Sequence, residues 1–202
     1  MDQLLADLAR AIQAALQQLA LPQDMRRFTR EICESLAESG PILANTFGPE
    51  MVWRYSGCER GKVPSLRRDG RPFRVIEYLW DVSISKYCIP EAIADPNSVA
   101  IGGRYELLLV AESELGTPNE ICRDLLKLLD ARTRIRCLVY KQPATERGRR
   151  SLEQRFIRVL HNHEYFVADP GRWLFVALNW RGAAVQAQVT TLNNNRDGFV
   201  PI

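Results

Sequence analysis

Residues 106–140 read ELLLVAESELGTPNEICRDLLKLLDARTRIRCLVY. Three elements are legible in this run. Leu107 to Ala111 is apolar without interruption, as in a strand whose sheet is covered on both faces. Thr117-Pro118-Asn119-Glu120 opens a helix. The threonine caps it, the proline takes the first helical position, and the glutamate closes a capping box. Ile121, Leu125, Leu128 and Leu129 recur at helical spacing and form its buried stripe. Ile135 to Tyr140 is a second strand. Strand 106–114, helix and strand 135–140 predict a parallel crossover of right-handed sense. The fold class is therefore α/β.

The flanking sequence extends this unit. Residues 2–20 predict an amphipathic helix, with Leu4, Leu5, Leu8, Ile12, Leu16 and Leu19 on one stripe. A second helix is predicted from Asp24 to Glu38, closed by Gly40-Pro41. Residues 51–56 and 73–85 are rich in strand formers, and residues 89–104 read as a loop. Ser151-Leu-Glu-Gln154 is a second capping box and predicts a helix to His161. Late strands are predicted at 173–180 and 185–191. The strands before 106 can form an antiparallel meander. The expected architecture is a mixed central sheet flanked by helices. It forms a single domain over 1–202, with a helical appendage at 1–23, a core at 24–140, and a C-terminal helix and strands at 141–202 that complete the sheet.

Composition excludes several classes. Of 202 residues, 46% are hydrophobic and 25% charged, which is globular and not disordered. No apolar run approaches the roughly 18 residues of a membrane span. The five cysteines, at 33, 58, 88, 122 and 137, are odd in number and form no CxxC pair. This argues against a disulfide framework or a zinc ribbon. The start at Met1-Asp2-Gln3 has neither a basic segment nor an apolar one. Together these features predict a cytoplasmic protein.

Charge is unevenly distributed. Residues 54–74 hold seven basic and two acidic side chains, and residues 132–158 hold nine and two. Between them, residues 75–131 hold ten acidic and four basic side chains. Arginine forks suit phosphate. Arg67, Arg68, Arg71, Arg149 and Arg150 are the candidates for gripping a nucleic-acid backbone. The same charges also suit solvated faces.

Asp81 lies within the apolar run Tyr78-Leu-Trp-Asp-Val-Ser-Ile84, where an unsatisfied carboxylate is costly. Glu112 and Glu114 end the next strand and point to one face. If the two strands are neighbours, the three carboxylates converge and need a cation to offset their repulsion. Mg²⁺, or Mn²⁺, suits such a site. His161 and His163 lack a third ligand nearby in sequence, so zinc is not expected.

This pattern resembles the core of the PD-(D/E)XK nuclease superfamily, the restriction-endonuclease-like fold. That core runs helix, three strands, helix, strand. Asp81 matches its first acidic position, and Glu112-Ser113-Glu114 matches (D/E)-x-K with glutamate for lysine. Trp80 replaces the nominal proline. Some members place the lysine on the following helix, where Lys127 stands here. The resemblance implies metal-dependent hydrolysis of nucleic acid, with DNA the leading substrate. It implies that Asp81, Glu112 and the Ser113 carbonyl hold Mg²⁺. Glu114 would complete the site, and Lys127 would act on water or phosphate. A homodimer or a partner protein would supply specificity. A non-catalytic binding or assembly module on the same fold is the alternative.

Overall fold

The structure, a computed structural model, describes residues 2–20, 25–47, 52–56, 80–88, 104–168, 171–181 and 184–202. Within them lies a seven-stranded mixed sheet with helices on both faces. The elements are α1 (Gln3–Gln17), α2 (Met25–Ala37), α3 (Gly40–Phe47), β1 (Val52–Ser56), β2 (Val82–Cys88), β3 (Arg104–Glu114) and α4 (Pro118–Asp130). They continue as β4 (Ile135–Lys141), α5 (Glu146–His161), α6 (Glu164–Ala168), β5 (Arg172–Arg181), β6 (Ala184–Leu192) and β7 (Phe199–Pro201). The strands lie in sequence order, β1 to β7. β1, β2 and β3 form an antiparallel meander, while β3, β4 and β5 run parallel. β6 and β7 return antiparallel.

Each face of the sheet has its own core. Leu8, Ile12 and Leu16 of α1, with Phe28, Ile32 and Leu36 of α2, bury one face against Leu109, Val139 and Val176. The predicted N-terminal appendage thus supplies part of the main core. Ile121, Leu125 and Leu128 of α4 and Leu152, Phe156 and Leu160 of α5 cover the other face. Aromatic rings fill that layer. Trp173 stacks on Phe175 at 5.5 Å, and Tyr140 meets Phe156 edge-on at 5.2 Å.

β3 carries a bulge. Ile84 pairs with Leu109 and Ser85 with Leu107, so Leu108 is the extra residue. Leu108 and Leu109 therefore both enter the core beneath α1 and α2, while Leu107 and Val110 face the other layer. Beyond the bulge, the even-numbered residues of β3 point toward α4. This phase sets the direction of Glu112.

Predicted boundaries move in three places. The strand predicted to end at Ser85 runs on to Cys88. Gly40-Pro41 ends α2 but also begins α3, because proline suits a first helical turn. α5 begins at Glu146, not at Ser151: Thr145 is its cap, accepting from the Gly148 N–H at 3.1 Å. Glu146 then pairs with Arg149 and Arg150 one turn on, which holds the earlier turn in place. The predicted capping box of α4 forms, with Thr117 N–H donating to Glu120 at 2.7 Å. Of the strand predicted at 73–85, residues 73–79 lie outside the described residues, as does most of the predicted 89–104 loop. Among the described residues, no helix is long and apolar enough to cross a membrane.

Candidate active site

β2, β3 and α4 together position a buried charged cluster. Val82 pairs with Ala111, so Asp81 lies one step further along, opposite Glu112. Residues opposite one another on antiparallel strands share a face. Asp81 Oδ2 accepts from the Ser113 backbone N–H at 2.9 Å, which ties the start of β2 to the end of β3. Glu112 is 1% exposed. α4 packs over β3 and brings Asp124 and Lys127 above it. Lys127 Nζ lies 2.7 Å from Asp124 Oδ1 and 3.4 Å from Glu112 Oε2. The Trp80 indole N–H donates to the Lys127 carbonyl at 3.2 Å, which fixes the helix against the β2 entry.

The electrostatics follow from this packing. Burial pushes the Glu112 carboxyl up to about 8, and the charges of Asp81 and Asp124 add to the rise. Lys127 opposes the rise without cancelling it. Partial burial works against the Lys127 ammonium, but its bonds and attraction to Asp124 and Glu112 win, and its pKa is raised. Glu112 Oε1 is buried and has no hydrogen-bond partner among the described residues. Among the described residues, the cluster therefore sets three acids against one ammonium and has one acceptor unused. A proton on Glu112 answers both deficits near neutral pH. A divalent cation would answer them as well.

The predicted site residues divide into four groups. Asp81, Glu112, Ser113 and Lys127 come together. Glu114 does not join them. It shares the face of Glu112, but it ends β3, and its Oε1 accepts from the Gly116 N–H at 2.6 Å in the turn before α4. The expected Asp81–Glu112–Glu114 triad is replaced by Asp81, Glu112 and Asp124. Arg149 and Arg150 lie in the first two turns of α5 and pair with Glu146 at 2.6 and 2.9 Å. Arg67, Arg68 and Arg71 lie outside the described residues.

Asp124 stands three residues before Lys127, a spacing that by itself suits a surface ion pair. The pair forms, but Asp124 is only 7% exposed. The signal was present: Asp124 stands with Ile121, Leu125 and Leu128 on the buried stripe of α4. An acid in that stripe needs a partner inside the fold.

Among the described residues, no group of three or more His, Cys, Asp and Glu side chains is placed to hold a metal ion. His161 meets the Arg196 carbonyl, and His163 meets Asp130. A metal at Glu112 would thus rest on two carboxylates and complete its shell with water or phosphate. That is the usual habit of Mg²⁺. The all-oxygen donors and the unused Glu112 Oε1 fit such an ion. Comparison with protein-family models, with curated proteins and with solved structures found no match.

Proposed function

We propose that the chain is a Mg²⁺-dependent nuclease that hydrolyses phosphodiester bonds of nucleic acid, with DNA the first substrate to test. The observation that carries this reading is the meeting of Asp81, Glu112 and Lys127 where β2 enters beside the end of β3. The element order α2, β1, β2, β3, α4, β4, with the short α3 between α2 and β1, supports it, because the nuclease core that the sequence resembles runs helix, three strands, helix, strand.

In this reading Asp81 and Glu112 hold the ion. Bound there, Mg²⁺ lowers the pKa of water and polarises a phosphoryl oxygen. Glu112 must shed its proton for the ion, so loading strengthens as pH rises toward about 8. Lys127 presents a positive charge at the solvent side of the cluster, its side chain 42% exposed. In this reading it would meet a non-bridging phosphate oxygen. The Ser113 N–H holds the Asp81 carboxylate in place. Arg149 and Arg150 contribute backbone contacts from the start of α5.

The deciding experiment is a calorimetric titration of Mn²⁺ into the wild type and into Asp81→Asn, with and without a DNA duplex. Binding in the wild type and none in the variant supports the reading. Full binding or full cleavage in Asp81→Asn overturns it. The non-catalytic module remains as a second reading, favoured by one observation. The Lys127 ammonium already bridges Asp124 and Glu112, so it serves as the cation of the cluster. Salt-sensitive DNA binding with no Mn²⁺ uptake, even with DNA present, would select that reading.

A further inference from the structure

Lys127 is a long, flexible side chain, yet its Nζ is held by Asp124 at 2.7 Å and lies 3.4 Å from Glu112. The backbone beneath it is fixed as well, its carbonyl accepting from Trp80 at 3.2 Å. Asp124 is itself buried at a helical position suited to leucine, between Ile121 and Leu128. Aspartate is a poor helix former, and a buried one is costly unless it is satisfied. Its partner here is the single lysine that also reaches Glu112.

We propose that Asp124 is a positioning residue that fixes the Lys127 ammonium beside Glu112, so that a lysine on α4 fills the role left open by Glu114 on β3. The catalytic half of this inference rests on the nuclease reading. The positioning half rests on geometry alone, and it can be tested without substrate.

The chain has four lysines, Lys62, Lys86, Lys127 and Lys141. The full-length protein is treated with an amine-reactive ester at fixed pH, and acylation is followed at each lysine by peptide mass spectrometry. Losing a charge-assisted bond of this kind releases the amine, so Asp124→Asn is expected to speed Lys127 about tenfold or more. Lys141 should keep its wild-type rate. Asp124→Glu should restore slow acylation at Lys127. Wild-type acylation of Lys127 in folded Asp124→Asn overturns the inference. Should that variant lose its near-UV dichroism, Asp124→Ser carries the same comparison.

The second readout is kinetic. Asp124→Asn and Lys127→Met are expected to lower kcat by the same factor with KM unchanged, and the double variant should be no worse than either. Wild-type kcat in Asp124→Asn sinks the inference while leaving the nuclease reading intact. A wild type that neither binds Mn²⁺ nor cleaves DNA sinks the nuclease reading. The acylation contrast would still decide the positioning role.

Discussion

Glu112 and Glu146 are the same side chain in opposite surroundings. Each has a basic neighbour: Lys127 beside Glu112, and Arg149 with Arg150 beside Glu146. Yet Glu112 is pushed up to about 8, whereas the bonds from Arg149 and Arg150 pull Glu146 below its ordinary value. Glu146 is exposed and has two guanidinium groups beside it. Glu112 has a covered sheet face, two further acids and one ammonium. Burial therefore outweighs pairing at Glu112, whereas pairing prevails at the exposed Glu146.

The largest effect expected from this contrast is on activity. Asp81→Asn or Glu112→Gln should lower DNA cleavage by at least about 10²-fold, a scale typical of losing one stabilising group in an active site. Glu146→Gln should leave cleavage within about twofold. Initial rates at saturating Mg²⁺ would check this, and equal losses at both glutamates would erase the distinction.

The next effect is on stability. The folded-state pKa of Glu112 lies above its unfolded value of 4.5, at about 8. Below pH 4.5 both states hold the proton and nothing is lost. From there to about pH 8 the unfolded state gives up its proton first, so stability falls, by an amount on the order of a few kcal/mol. Melting curves of the metal-free protein across this window should show the fall, and Glu112→Gln should flatten it. Mg²⁺ should offset the fall at the alkaline end.

A smaller change is expected at Lys127. Lys127→Met leaves two buried acids facing each other, but Lys127 is two-fifths exposed and solvent screens its contribution. A loss of about 1–2 kcal/mol above pH 8 is expected. It should shrink near pH 5, where Glu112 keeps its proton. Denaturant unfolding at the two pH values measures both numbers.

The smallest stability effect belongs to the α5 cluster. Arg149→Ala and Arg150→Ala should leave the melting temperature unchanged. Each should reduce the salt dependence of DNA affinity by about one unit of slope. A drop in melting temperature as large as that of Lys127→Met would mean the exposed cluster is structural after all.

Much of this was legible beforehand. The crossover 106–140 was readable because an unbroken apolar strand, a full capping box and a second apolar strand leave one arrangement. The partnership of Asp81 with Glu112 followed from two apolar runs, each broken by an acid. Other parts were hidden for identifiable reasons. Period two puts Glu114 on the face of Glu112, but the Gly116 turn captures its carboxylate. Asp124 looked like half of a surface pair because i,i+3 spacing suits both surface and core. α5 starts early because an isolated Thr145 cap and an arginine pair outweigh a second capping motif. The bulge at Leu108 leaves no mark in a run of three leucines.

That bulge gives β3 one residue of slack. Removing Leu108 would let Leu107 and Leu109 become neighbours in an ordinary ladder, with Glu112 still opposite Asp81. Removing one residue between Leu109 and Ala111 has no such outlet, and the shift would carry Glu112 to the opposite face. Single-residue length changes in this strand should therefore be tolerated at one point only, and the cluster can outlast a deletion there that would destroy it two residues later.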